Sequence, residues 1–319
     1  MEHEMSTEQL YEAYKPLLFA LAYRMLGSVM DAEDMVQEAF LSLNRGDAVR
    51  IRNMKSYLCK VVTNRCLDRL RSASRQREQY IGPWLPEPLI GEEQLHGDPE
   101  EGYLLKESVT TAYLLLLHQL SAVERAVFLL REVLQYEYDE IADMVGKSPT
   151  NCRQIFHRAK RSLGSRPAPA EPRAASASAA ANEPVNSGPA LPLRSDALAA
   201  KRLVEQFVQA LTAADVPRLL ALLAEDAVLY SDGGGKINAA VRPILSAGRI
   251  AQFLLGLLGK VPEDFAVRPA IVNGVPGLIS YGGHMPINTV SFHLKDGVIE
   301  GIYLVVNPDK LEHVPRLLS

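Results

Sequence analysis

The sequence predicts two all-α helical domains, the second carrying a helix-turn-helix, followed by an α+β domain whose curved antiparallel sheet closes as a cone. Three observations lead there. On either side of an aperiodic stretch at 80–103, the first half of the chain is apolar at helical spacing. Between Tyr136 and Leu163 two such stripes are broken only by a tight turn. From Ser195 onward helical segments give way to strand-length runs joined by Asn273-Gly274 and Asp296-Gly297, dipeptides that close hairpins. A chain of 319 residues also exceeds one ordinary core, so several domains are expected.

Residues 1–79 form the first domain. Its first helix runs to Gly27 with Leu17, Leu18, Leu21, Ala22 and Met25 inward. A second, from Asp31 to about Leu43, opens with Asp31, Glu33 and Asp34, as suits a positive helix N-terminus. After a polar loop, a long helix spans Met54 to Arg77 with Met54, Leu58, Val61 and Val62 facing the core. Lys60, Asn64, Arg71 and Arg75 share another flank with Asp68. Cations there would meet phosphates and Asn64 a base edge, although an ordinary solvated helix carries the same pattern.

Residues 80–103 are acidic, contain Pro83, Pro86, Pro88 and Pro99, and lack apolar periodicity, so they are expected to be a linker. A segment of that length reaches ~80 Å, enough to set two basic faces more than one duplex turn, ~34 Å, apart. The single tryptophan sits in it, in Trp84-Leu85-Pro86-Glu87-Pro88. An aromatic in an extended polar segment usually docks against something.

Residues 104–165 return to helices at Leu105–Leu120 and Ala122–Leu134, with Ser121 and Glu124 spaced as a capping box. Then Ile141, Ala142 and Val145 form one apolar face, Gly146 suits a left-handed helix end, and Ser148-Pro149 restarts a helix. On that second helix Cys152, Ile155, Ala159 and Leu163 align, with Phe156 beside them. Thr150, Arg153, Gln154, His157, Arg158 and Arg161 occupy the opposite side. This is a helix-turn-helix whose second helix fits a major groove. A basic bundle helix is the plainer alternative.

Residues 166–194 are rich in Pro, Ala and Ser and are expected to be disordered. In 195–319, helices are expected at Asp196–Ala214, Val216–Ala224 and Ile250–Leu258. Strands are expected at Ala227–Tyr230, Phe265–Asn273, Leu278–Tyr281, Thr289–Leu294 and Val298–Val306, as an antiparallel meander over the helices.

The net charge of −4 hides a segregation: bases cluster at Arg45–Arg77 and Arg153–Arg166, acids at Asp31–Glu38 and Glu87–Glu107. No apolar run reaches membrane-spanning length and no leader opens the chain, so a soluble cytoplasmic protein is expected. Cys59 and Cys66 lie seven residues apart on one helix, so their Cα atoms would be ~10 Å apart, beyond the ~7 Å bridging limit. All three cysteines are expected to be small buried hydrophobes. The histidines lack ligand spacing, and neither a metal site nor a cofactor is expected.

Two helical DNA-facing domains joined by an acidic linker resemble a bacterial RNA polymerase sigma factor of the extracytoplasmic-function (ECF) type. Asp31-Ala32-Glu33-Asp34-Met35-Val36-Gln37-Glu38-Ala39-Phe40 is similar to the family's signature helix. The resemblance implies that Asp34, Gln37 and Glu38 grip the clamp helices of the polymerase's largest catalytic subunit. Lys55–Arg71 resembles the helix that reads the minus-ten element, with Asn64 aligned to a position holding a flipped base; Tyr57 stands where tryptophan is frequent. In the helix-turn-helix, Arg153, Gln154 and His157 would touch bases of the minus-thirty-five element, while Arg158, Lys160 and Arg161 would meet phosphates.

The resemblance narrows on three motifs: Trp84-Leu85-Pro86-Glu87-Pro88, Asp232-Gly233-Gly234-Gly235-Lys236, and Asn307-Pro308-Asp309-Lys310-Leu311. Together they are the signatures of a subgroup with a fused SnoaL-like C-terminal domain, thought to control the sigma factor in cis. The implied partners are core polymerase and promoter DNA, with a monomeric free protein and no membrane. Each motif has a plainer account as well: the glycines as a tight loop, the Asn-Pro-Asp as an ordinary turn. The Gly-rich stretch is not a phosphate loop, since the spaced glycine and following Ser or Thr are missing.

Two other functions are open to the same residues. One is a stand-alone helix-turn-helix regulator with a ligand-sensing C-terminal domain, which would leave Asp31–Glu38 without a role. The other is an enzyme on the C-terminal domain using Asp232, His284 and His293 as acid–base groups. No nucleophile–base pair supports catalysis, and a small ligand that merely shifts the domain between states is the milder expectation.

Overall fold

The computed structural model describes residues 6–43, 51, 53–77, 80–91, 109–164 and 194–317, with the side chains of 73–77 and 194–197 excepted. The acidic linker beyond Gly91, the helix start at Leu104, the Pro/Ala/Ser-rich tract of 166–193 and the Arg75 side chain therefore lie outside the described residues. Two compact units emerge. One holds described residues up to 77 and 114–164, the other 80–91, 109–113 and 194–317.

In the first unit, α1 (Thr7–Leu26) starts at Ser6 in a capping box with Gln9 and ends at left-handed Gly27. It buries Leu17, Leu18, Leu21, Ala22 and Met25 against α2 (Val29–Leu43) and α3 (Met54–Arg77). Met54, Leu58 and Val62 face inward as expected; Val61 is only half-buried. Helix α4 is Thr111–His118, of which residues 114–118 belong to this unit, and α5 is Ala122–Phe128, opened by the Ser121–Glu124 capping box. Where the sequence predicts a continuous helix to Leu134, residues Leu129–Val133 form a π turn and Gln135 takes a positive φ of 57°. Helices α6 (Tyr138–Val145) and α7 (Pro149–Gly164) complete the helix-turn-helix.

The bundles are not held apart here. Arg125, only 2% exposed, donates to the carbonyls of Leu117 (2.9 Å) and Leu120 (3.3 Å) and to that of Met25 at the end of α1. A buried guanidinium tolerates its position because carbonyls satisfy its donors. Helix α3 also packs on α6.

The second unit carries α8 (Arg194–Thr212), α9 (Val216–Leu222) and α10 (Ala247–Leu258) on one face of a sheet. Its strands are β1 (Ile90–Gly91), β2 (Leu223–Asp232), β3 (Ile244–Leu245), β4 (Phe265–Val272), β5 (Val275–Gly282), β6 (Met285–Lys295) and β7 (Val298–Val305). Among the described residues the order is β1-β4-β5-β6-β7-β2-β3. Phe207, Leu219, Leu229, Ile250, Phe292 and Ile302 build the core between helices and sheet. Phe207 and Phe292 meet edge to face at 5.3 Å.

Two strand expectations need correction. The sheet is not purely antiparallel, because β2 runs parallel to β7, with Leu229 opposite Ile302. Four meander strands return the chain beside β2 in the same direction, and this register puts both side chains into the helix-facing core. The linker is not wholly irregular either: Ile90 and Gly91 pair with Val272 and Ile271, adding an edge strand no periodicity announces.

Candidate functional site

The acidic helix places its expected polymerase contacts in the open. Asp34, Gln37 and Glu38 are exposed on α2, opposite buried Ala32, Met35, Val36 and Ala39. Glu38 lies 3.4 Å from Arg65, and Asp31 is bonded by Arg69 at 2.8 Å. A groove of about 80 Å³ between α1 and α2 is lined by Tyr11, Lys15, Phe19, Glu33, Val36 and Gln37.

On α3, Lys60 and Asn64 are half-buried and Arg71 is exposed, paired with Asp68 at 2.8 Å. Lys60 is not turned to an empty surface: its Nζ lies 2.8 Å from Asp143 on α6. Tyr136, from the segment before α6, is buried with the Lys55 ammonium 6.0 Å from its ring centre. Burial pushes its hydroxyl well above the usual phenol range, with Cys59 adding to the shift. Cys59, Cys66 and Cys152 are free and buried; desolvation raises each thiol, so they behave as small apolar groups.

The helix-turn-helix follows local rules closely. Gly146 adopts φ 65°, Lys147 donates back to the Ala142 carbonyl at 3.1 Å, and the Ser148 hydroxyl accepts the Asn151 N–H at 3.2 Å. Cys152, Ile155, Phe156 and Ala159 are buried, while Leu163 is half-exposed. Thr150, Arg153, Gln154, His157, Arg158, Lys160 and Arg161 are all exposed. Arg153 lies over the Tyr138 ring at 5.0 Å, Arg158 is 3.6 Å from Glu124 and Lys160 3.4 Å from Glu132. Side-chain partners thus hold three of the cations, Arg153 and Lys160 on one flank of α7 and Arg158 on the other.

In the second unit the three short motifs converge on Asp232, at the end of β2 and fully buried. Its Oδ1 accepts the Tyr80 hydroxyl at 2.5 Å and the Gly234 N–H at 3.0 Å. Its Oδ2 accepts the Leu85 N–H at 2.8 Å and lies 2.8 Å from Lys310 Nζ. Lys310 also donates to the Leu85 carbonyl and sits 4.5 Å over Trp84 and 5.1 Å over Tyr80. Burying a lone charge would be prohibitive; opposite charges with full hydrogen bonding and two aromatic faces make it tenable. Burial, then the Asp232 acceptor, drives the Tyr80 pKa far above its ordinary value, so the phenol stays a donor.

The rest of the motifs build the rim. Asn307 donates to the Tyr80 hydroxyl at 3.2 Å and caps the Pro308–Lys310 turn through Asp309 N–H. Lys236 bonds both Asp309 oxygens at 2.7 Å. Gly234 is required: at φ +60° its added Cβ would sit 2.3 Å from Asn307 Nδ2. Leu85 is 0% exposed, Pro86 and Pro88 are buried, and Glu87 is half-buried. Leu311 anchors the end at 5% exposed. Gly233 is buried and Gly235 exposed beside Ile81.

Sequence reasoning missed Tyr80, Asn273 and His313, whose Nε2 lies 2.6 Å from the Pro88 carbonyl. Tyr80 is an aromatic four residues ahead of Trp84, a signal of the same kind as the tryptophan. Asn273 carried only a turn signal.

The acid–base trio is not assembled. Asp232 pairs with Val305 and His293 with Gly301, four residues or ~13 Å apart along β7. His284 lies in the β5–β6 turn, its ring nitrogen 3.1 Å from the Leu317 carbonyl. Among the described residues no cluster of His, Cys, Asp and Glu is arranged to hold a metal ion.

Residues 10–76 match the Sigma-70 region 2 family and residues 110–163 the Sigma-70, region 4 family. The ECF RNA polymerase sigma factor SigJ of Mycobacterium tuberculosis is 30% identical, over 96% of this chain and 93% of that protein. The ECF RNA polymerase sigma factor SigG of the same organism is 30% identical, over 85% and 72%. The crystal structure of Mycobacterium tuberculosis extracytoplasmic function sigma factor SigJ matches with a TM-score of 0.69 at 26% identity, covering 94% of this chain and 96% of that one.

Proposed function

The chain belongs to the extracytoplasmic-function sigma factors, which direct RNA polymerase to promoters, and we propose that its SnoaL-like C-terminal domain controls that activity in cis by gripping the linker. The observation that carries this is the buried Asp232–Lys310 pair, closed around Tyr80, Trp84 and Leu85 of the linker. A contact that spends two buried charges on a linker is costly to build unless holding it matters.

The exposed Asp34, Gln37 and Glu38 suit the role of polymerase contacts at the clamp helices of the largest catalytic subunit. Lys60, Asn64, Arg71 and Arg75 are assigned to the minus-ten element. Thr150, Arg153, Gln154, His157, Arg158, Lys160 and Arg161 are assigned to the minus-thirty-five element. The Lys60–Asp143 pair supports a closed resting state, since Lys60 must part from α6 before it meets a phosphate. The C-terminal domain then works by binding rather than turnover, with a small ligand as one means of shifting it. Among the described residues no helix is long and apolar enough to cross a membrane; a cytoplasmic protein, monomeric when free, is part of the same proposal.

Run-off transcription with purified core polymerase tests the reading, comparing the full chain, a cut near residue 166 and a cut before Asn307. Unequal yields are expected, and Asp34→Ala/Gln37→Ala should lose polymerase co-purification while remaining folded. Equal yields from all three forms would end the proposal of control in cis. A gel shift with promoter DNA and no polymerase separates this reading from a stand-alone regulator, which alone should bind tightly.

A further inference from the structure

Asn273 opens the β4–β5 turn in the left-handed region, at φ 52°, yet it is only 1% exposed. Hairpin tips ordinarily face water. Two chain segments account for the burial here. The Asn273 N–H donates to the Leu89 carbonyl at 2.8 Å, and its Oδ1 accepts the Leu89 N–H at 2.7 Å. The side chain thereby continues the ladder made by Ile90 with Val272 and Gly91 with Ile271. The other end of the same carboxamide, Nδ2, donates to Thr111 Oγ1 at 2.8 Å. That hydroxyl lies 2.7 Å from Ser291 Oγ on β6, with Thr111 and Ser291 each 3% exposed.

Leu89 and Thr111 flank residues 92–108, and Thr111 is the first residue of α4, which leads into the helix-turn-helix. We propose that Asn273 is a second anchor, separate from the Asp232–Lys310 cluster, which pins the segment leaving the first sigma domain and the segment entering the second to one residue. The proposal rests on the cis-control reading and deepens it. The C-terminal domain holds the entry of the helix-turn-helix domain as well as the linker, so opening the Asp232 cluster alone leaves that entry held. The task requires an acceptor and a donor on one short side chain at positive φ. Asparagine supplies both; aspartate has no donor and glycine has neither.

Hydrogen exchange on the full chain tests this with Asn273→Gly, which keeps the turn conformation, Thr111→Val, which keeps the shape, and Asp232→Asn. Loss of a buried hydrogen bond should speed the dependent amides by roughly tenfold. Asn273→Gly should do so at Leu89 and at residues 111–115 while sparing the Leu85 amide. Thr111→Val should act on 111–115 alone. Unchanged exchange at Leu89 and 111–115 in Asn273→Gly overturns the second anchor. If Asp232→Asn by itself frees those amides as much as Asn273→Gly does, there is one latch and not two, and the cis-control reading survives without Asn273. Exchange as expected with equal run-off yields from the truncated forms would instead keep the anchor and remove the control.

Discussion

Lys310 Nζ and Asp232 Oδ2 meet at 2.8 Å with side chains only 9% and 0% exposed. Removing one partner strands the other charge in a poorly solvated site, at a cost of about 3 kcal/mol or more. Asp232→Asn and Lys310→Met should each lower the denaturation midpoint of the full chain. The double variant should lose clearly less than the sum, because no charge is left unpaired. Trp84 emission, from a ring 4.5 Å below the ammonium, should change in the same variants. Additive losses with unaltered emission would show that the pair does not act as a unit.

Adjacent glycines of one motif should respond differently. Gly234→Ala drives a Cβ to 2.3 Å from Asn307 Nδ2, at a positive φ, and must displace the group that bonds Tyr80. Gly235→Ala meets the Ile81 side chain at 3.0 Å, also at positive φ, but Ile81 is 60% exposed and can shift toward solvent. Both pay for the backbone, of order 1 kcal/mol; only Gly234→Ala should also loosen the linker. Thermal melts ranking Gly235→Ala as the worse variant would contradict this account.

Lys60 and Asp143 are 40% and 75% exposed, so their ion pair should contribute at most about 1 kcal/mol. Asp143→Ala should therefore leave stability nearly unchanged. Lys60→Ala should weaken promoter binding by the polymerase complex across sequences and lower the salt slope by about 1, the mark of a lost phosphate contact. An unchanged salt slope would remove Lys60 from the DNA face.

His293 provides the pH-dependent element. Its burial holds the imidazole pKa below the ordinary value; Glu300 pulls it up and Lys295 pushes it down, without cancelling the burial. The unfolded chain therefore takes up this proton first as pH falls. The contribution is fully present above the unfolded pKa near ~6.5 and is lost as pH drops toward the folded value. Denaturation of the full chain between about pH 7.5 and 5.5 should show a shallower decline in His293→Gln than in the parent. Parallel declines would place the sensitivity elsewhere.

The helix-turn-helix was legible in the chain because its determinants are neighbours. Gly146, Ser148 and Pro149 set the turn by their own backbone preferences, and Cys152, Ile155 and Ala159 share a face by helical spacing alone. The acidic face at Asp34, Gln37 and Glu38 was legible for the same reason. The three linker and C-terminal motifs could be named from the sequence, but not why they matter. Asp232 and Tyr80 are 152 positions apart and Lys310 and Leu85 are 225 apart, distances over which no spacing rule operates.

By itself, then, the sequence determined the helical elements of the first half except the π turn at Leu129–Val133, the turn between α6 and α7, and most strands of the C-terminal sheet, all products of short-range periodicity and capping. Tertiary structure alone decided that β2 runs parallel to β7, that the linker lends a strand to the sheet edge, that Lys60 faces Asp143, and that Asn273 is buried between two stretches of chain. These depend on which surfaces exclude water together, and that is settled only when residues remote in sequence compete for the same partners.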